Sequence, residues 1–99
     1  MAPATYRFIA CKLEANPALL QIGLDNMVRW LAQGHTAVKQ FARWREVILE
    51  AQSSLEGMEK LLALMRDESW EALFFMEFHP FVGVMTPEES RQFLCSSAH

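Results

Sequence analysis

Apolar residues recur along this chain at steps of three and four, and capping residues divide it into six segments that each read as helix. Thr5 caps a first segment running to about Glu14. Asn16-Pro17 restarts the chain, because asparagine accepts from free backbone donors and proline at the first helical position lacks the donor that would be orphaned. Leu20, Leu24, Met27 and Leu31 then form one stripe, with Gln21, Asp25, Arg29 and Gln33 on another and an Asp25–Arg29 pair expected. Gly34 supplies the left-handed stop.

A third helix is expected from Thr36, burying Ala37, Phe41, Trp44 and Ile48 and presenting Lys39, Arg43, Glu46 and Glu50 outward. Ser53 with Glu56 has capping-box spacing, which predicts a fourth helix with Leu55, Met58, Leu62 and Met65 inward and a Glu56–Lys60 pair. Gly57 is expected to cost that helix about 1 kcal/mol relative to alanine. A fifth segment spans Ser69 to Phe78 and stops before Pro80. Thr86-Pro87-Glu88-Glu89 opens a sixth, which runs to about Leu94. Phe81 to Met85 is the one strand-like piece; with no partner strand, it reads as an apolar connector tucked against the helices. The expected fold is all-α: a bundle of five to six short helices forming a single domain over residues 1–95, with a frayed tail at 96–99.

Composition narrows the class. At 99 residues the chain is too short for the large catalytic scaffolds. With 52% hydrophobic and 11% aromatic residues it is not a disordered polymer. A net charge of −3 and a pI near 5.5 argue against a dedicated nucleic-acid binder. The first nine residues lack the apolar run of roughly 7–15 residues that a secretory signal needs. No apolar run approaches the roughly 20 residues that span a bilayer. Cys11 and Cys95 stand far apart, which points to free, at least partly buried thiols, a reducing compartment and a cytoplasmic location.

Candidate chemistry is sparse. His35, His79, His99 and the two cysteines make no close-spaced ligand pair, so no metal is expected, and no cofactor either. None of the serines lies in a Gly-x-Ser-x-Gly elbow, and the four glycines are scattered singly rather than gathered in a phosphate loop. Arg29 and His35 do resemble the Arg-x(4–6)-His signature of the small all-helical HEPN ribonucleases. That resemblance implies an arginine holding a phosphodiester and a histidine moving a proton. It covers those two residues alone, and Trp30 stands where the family has a polar residue beside the arginine. The segment around Gly34 also has the outline of a helix-turn-helix, with Lys39, Arg43 and Arg45 as the basic face of its second helix. Trp30, Gln40 and Arg43 occupy positions that this motif keeps small or apolar, so nucleic acid is not the expected partner.

Two features point to a protein partner. Residues 1–45 carry six basic groups against two acids, net +4, and residues 46–99 carry three against ten, net −7. Such polarity steers a charged partner, pairs copies head to tail, or is neutralised within the fold. Trp70 to Met85 is denser in aromatics and methionine than one short helix can bury. Trp70, Phe74, Phe78 and Phe81 are expected to face inward, which leaves Phe75 and Met76 pointing elsewhere. The reading is a non-enzymatic interaction module, fitting a small regulatory, inhibitory or antitoxin-like subunit. Trp70, Phe75, Met76 and Phe81 form its candidate surface and Lys39 and Arg43 orient the partner, which is a larger protein or a second copy, a homodimer being expected.

Overall fold

A computed structural model describes residues 3–97, with side chains described for residues 4–92. Among the described residues there are six α-helices and no strand. The helices are α1 (Pro3–Ala15), α2 (Leu20–Ala32), α3 (Val38–Ser53), α4 (Leu55–Arg66), α5 (Trp70–Met76) and α6 (Pro87–Ser97), and a 3-10 turn over Pro17–Leu19 leads into α2. The expected tail begins inside α6, which continues to Ser97; residues 98 and 99 lie outside the described residues.

Local capping chemistry sets the starts of α4, α5 and α6. At α6 the Thr86 amide donates to Glu89 Oε1 at 2.8 Å while the Glu89 amide donates to Thr86 Oγ1 at 3.2 Å, the reciprocal pair that the sequence announces. Ser69 Oγ accepts from the Ala72 amide and caps α5. At α4 the cap is Ser54, one residue later than expected, and its Oγ accepts from the Gly57 amide at 3.0 Å. Ser53 instead closes α3, its hydroxyl donating back to the Glu50 carbonyl. Asn16 makes no capping bond, and α3 starts at Val38 rather than Thr36.

Helix α3 is the central element, packed against α4 on one side and α2 on the other, with α1 laid on α4. One continuous core joins Ile9 and Leu13 of α1, Leu20 and Met27 of α2, Phe41, Trp44 and Ile48 of α3, Leu61 and Met65 of α4, and Met76 of α5. Phe81 and Val84 of the connector are buried in it, as expected for a segment tucked against the bundle. Asn26, buried on α2, ties that connector down by donating to the Pro80 and Val82 carbonyls at 2.8 and 2.7 Å. Leu31 and Leu55, read as inward, are exposed, and Leu24 is half-buried.

Charge polarity is only partly consumed inside the molecule, since two of the six basic groups in residues 1–45 pair with acids of the other half. Arg7 pairs with Glu68, Lys12 with Glu89 and Arg66 with Glu14, so α1 is joined to the segment after α4, to α6 and to α4. The Lys12 contact is the shortest at 2.7 Å and the most sheltered, and with the Thr86 amide it holds the Glu89 carboxyl below its usual pKa. The Glu56–Lys60 pair forms as expected, at 3.7 Å. Arg29 bonds Asn26 Oδ1 rather than Asp25, whose Oδ1 accepts from Gln21.

Gly57 has a different role from the one expected. A Cβ built there would overlap the Glu50 carbonyl of α3 and come within 2.9 Å of the Ala51 nitrogen. The first turn of α4 therefore rests on the last turn of α3 backbone to backbone, and only glycine permits it. In an ordinary helix interior Gly→Ala gains about 1 kcal/mol. Here Gly57→Ala is expected to lose about 2 kcal/mol by overpacking, read as a lower urea midpoint at unchanged m-value.

Candidate functional site

The six residues singled out from the sequence divide into two sets. Trp70, Phe75, Lys39 and Arg43 line one groove of about 470 Å³ between the start of α3 and α5, with Leu64, Asp67, Glu71 and Phe74 completing its walls. Met76 and Phe81 are 0% and 1% exposed and belong to the core, so they are not surface residues. Register on α5 accounts for the split. Ala72 and Met76, four apart, are the buried positions, which turns Trp70 and Phe74 to the opposite side.

Of the expected aromatic stripe, Trp70 and Phe74 face out while Phe81 faces in. Trp70 is 74% and Phe74 48% exposed, the reverse of the inward placement expected. Their rings stack at 5.6 Å and 11°, and Phe74 meets Phe78 edge-on at 5.7 Å. Phe75 forms the floor of the groove. It stacks on Trp44 at 4.3 Å and 4°, and the Arg43 guanidinium lies 5.2 Å from its ring centroid. Lys39 and Arg43 give the groove a basic bank, and Asp67 and Glu71 an acidic one.

A second cleft, about 500 Å³, opens where the α2–α3 turn approaches the end of α5. His35 is delivered to it by the way α2 ends. The His35 amide donates to the Trp30 carbonyl and the Gly34 amide to the Leu31 carbonyl, with Gly34 at φ +88°. This is a Schellman closure, whose customary side-chain contact brings His35 beside Trp30 at 6.5 Å and against Phe41 at 4.8 Å. His79 enters from the other wall, edge-on to Tyr6 at 5.8 Å and stacked on Phe81 at 6.0 Å.

The two histidines are held alike. Nδ1 of His35 accepts from the Ala37 amide and Nδ1 of His79 from the Phe81 amide, each at 3.1 Å. An Nδ1 that accepts requires the proton of the neutral ring on Nε2. Burial, with a smaller contribution from the positive charge of the N-terminus, lowers the His79 pKa to about 4, so at neutral pH this ring is uncharged. Burial also raises the Tyr6 pKa, and the neighbouring Glu77 carboxylate adds to that shift.

Arg29 is not among the residues lining this cleft, so the structure does not place the guanidinium and imidazole of the ribonuclease-like pair in one pocket. Cys11 is exposed, contrary to the burial expected, and Cys95 lies outside the described side chains. Among the described residues no cluster of three His, Cys, Asp or Glu side chains could hold a metal ion, and no helix is long and apolar enough to cross a membrane. Sequence reasoning missed an exposed aliphatic patch of Val28, Leu31, Val38 and Leu49 between α2 and α3, three of which do not repeat on the stripes it followed. No protein-family model, curated protein or solved structure matches the chain.

The His79 environment makes stability fall with acid in a definite window. Its folded pKa of about 4 lies below the ordinary value of 6.5, so between these pH values the unfolded chain binds a proton that the folded chain does not. Stability is therefore expected to drop by about 3 kcal/mol as pH falls from 6.5 to 4, and to stop dropping from this source below that. Glu89, with its depressed pKa, contributes only below its ordinary 4.5. His79→Asn, which retains an acceptor for the Phe81 amide, is expected to flatten denaturant midpoints measured between pH 6.5 and 4.5.

Proposed function

We propose that this protein is a small non-enzymatic interaction module that pairs with a second copy of itself through the groove between α3 and α5. The observation that carries the reading is the stacked Trp70–Phe74 pair standing in solvent beside Phe75, Lys39 and Arg43. Tryptophan and arginine dominate the energetic centres of protein interfaces, and exposed aromatic surface of this kind marks a contact site.

Charge complementarity selects the second copy as occupant. The banks of the groove are Lys39 and Arg43 on one side and Asp67 and Glu71 on the other. A two-fold axis through the groove sets the basic bank of each copy against the acidic bank of its partner, while the Trp70 and Phe74 rings meet across the axis. Among the described residues, Lys39, Arg43, Asp67 and Glu71 take part in none of the ion pairs formed within the monomer, so their charge is available to a partner. A cytoplasmic setting fits the free exposed thiol of Cys11. A regulatory subunit is a role for which such a paired module is suited.

Light scattering on a sizing column is expected to show a dimer that dissociates on dilution. Trp70→Glu, at an exposed position that leaves the fold intact, weakens it at least about tenfold. Lys39→Glu and Glu71→Lys each weaken it about fivefold, and mixing the two variants restores pairing, because each mixed contact again joins opposite charges. A monomer at about 100 µM, well above the dissociation constants of specific interfaces, overturns the reading. So does a dimer indifferent to Trp70→Glu.

A further inference from the structure

We infer that the cleft between the α2–α3 turn and the end of α5 is a binding site for a small organic monocation, such as an alkyl- or arylammonium ion. Its walls are aromatic on both sides: Trp30, His35 and Phe41 form one ring cluster, and Tyr6, Phe78 and His79 supply the other. The volume of about 500 Å³ is in the range that takes a small molecule. Glu77 carries the one formal negative charge among the lining residues, and no lysine or arginine lines the cleft. Glu77 is the second cause, after burial, of the raised Tyr6 pKa, so its charge is felt at the cleft wall.

His79 does not offset that charge. Each histidine ring is held through Nδ1 by a backbone donor, and His79 is buried enough to remain neutral. Among the lining residues, an anion would meet a carboxylate and ring faces, both electrostatically negative. A cation meets the same groups as partners, through the ring quadrupoles and through Glu77 at the exposed rim of the cleft. Phosphate esters and carboxylates are thereby disfavoured, and a cationic head on an apolar body is favoured. This site is separate from the groove of Trp70 and Lys39, so its fate does not depend on dimer formation.

The probe is benzyltrimethylammonium, titrated into the full chain and followed by amide and side-chain NMR shifts. Saturable shifts are expected at Tyr6, Trp30, His35 and Glu77, with a dissociation constant on the order of 1 mM or below. Benzyl alcohol, neutral and similar in its ring, is expected to bind at least about tenfold more weakly, and benzoate not at all. Glu77→Gln, at an exposed position outside the core, is expected to weaken the cation about tenfold while leaving benzyl alcohol unchanged. Equal binding of cation and alcohol, tighter binding of benzoate, or a cation affinity untouched by Glu77→Gln would each overturn the assignment. Absence of saturable shifts at these residues overturns it as well.

Discussion

The burial of one indole determines where both surfaces of this molecule lie. Trp44, at the middle of α3, is fully enclosed and has a single donor to satisfy, which it gives to the Phe75 carbonyl at 3.2 Å. Its ring stacks on Phe75 and meets Phe81 edge-on at 5.6 Å. A helix of seven residues such as α5 has little stability alone, and its last carbonyls lack intrahelical partners. The tryptophan supplies both a partner and a packing face. Once Phe75 is held against Trp44, the rotation of α5 is fixed, Met76 turns to the core, and Trp70 and Phe74 turn to solvent.

The same ring links the two recesses. On one side Trp44 backs Phe75, the floor of the groove between α3 and α5. On the other it meets Phe81, which stacks on His79 in the wall of the second cleft. The connector carrying Phe81 is fastened independently by Asn26, and Gly23 leaves room on α2 for the Phe81 ring, 3.0 Å from where a Cβ would stand. These contacts give rigid walls to recesses that are built from short helices and turns. They also separate roles: the groove has charged rims of both signs, whereas the cleft has aromatic faces and one carboxylate.

Much of the fold was legible in the chain because capping chemistry and helical period are local. Thr86 with Glu89, Ser69, and Gly34 mark boundaries that involve only residues three or four apart, and the structure realises each of them. The stripe of Phe41, Trp44 and Ile48 on a long helix with charged residues between allows one inward face, and that face is buried. The polarity of the two chain halves was also visible, although its partial neutralisation by Arg7–Glu68 and Lys12–Glu89 depends on which helices touch.

The sequence by itself determined an all-α bundle, most of its helix boundaries, and the grouping of Trp70 with Phe74 and of Lys39 with Arg43, since spacing along a helix places residues on a common face. It did not determine which face of α5 is buried. Ala72 and Met76 form one stripe, Trp70 and Phe74 another, and hydrophobicity alone does not rank them; the hydrogen bond and stacking of Trp44 on Phe75, thirty-one residues away, do. Nor did it announce that Gly57 is a contact point, because the atoms that exclude a side chain there belong to α3. The meeting of His35 with His79 in one cleft was likewise decided only by tertiary structure: each is placed by its own helix end, and their approach depends on how α2 and α5 pack around the shared core.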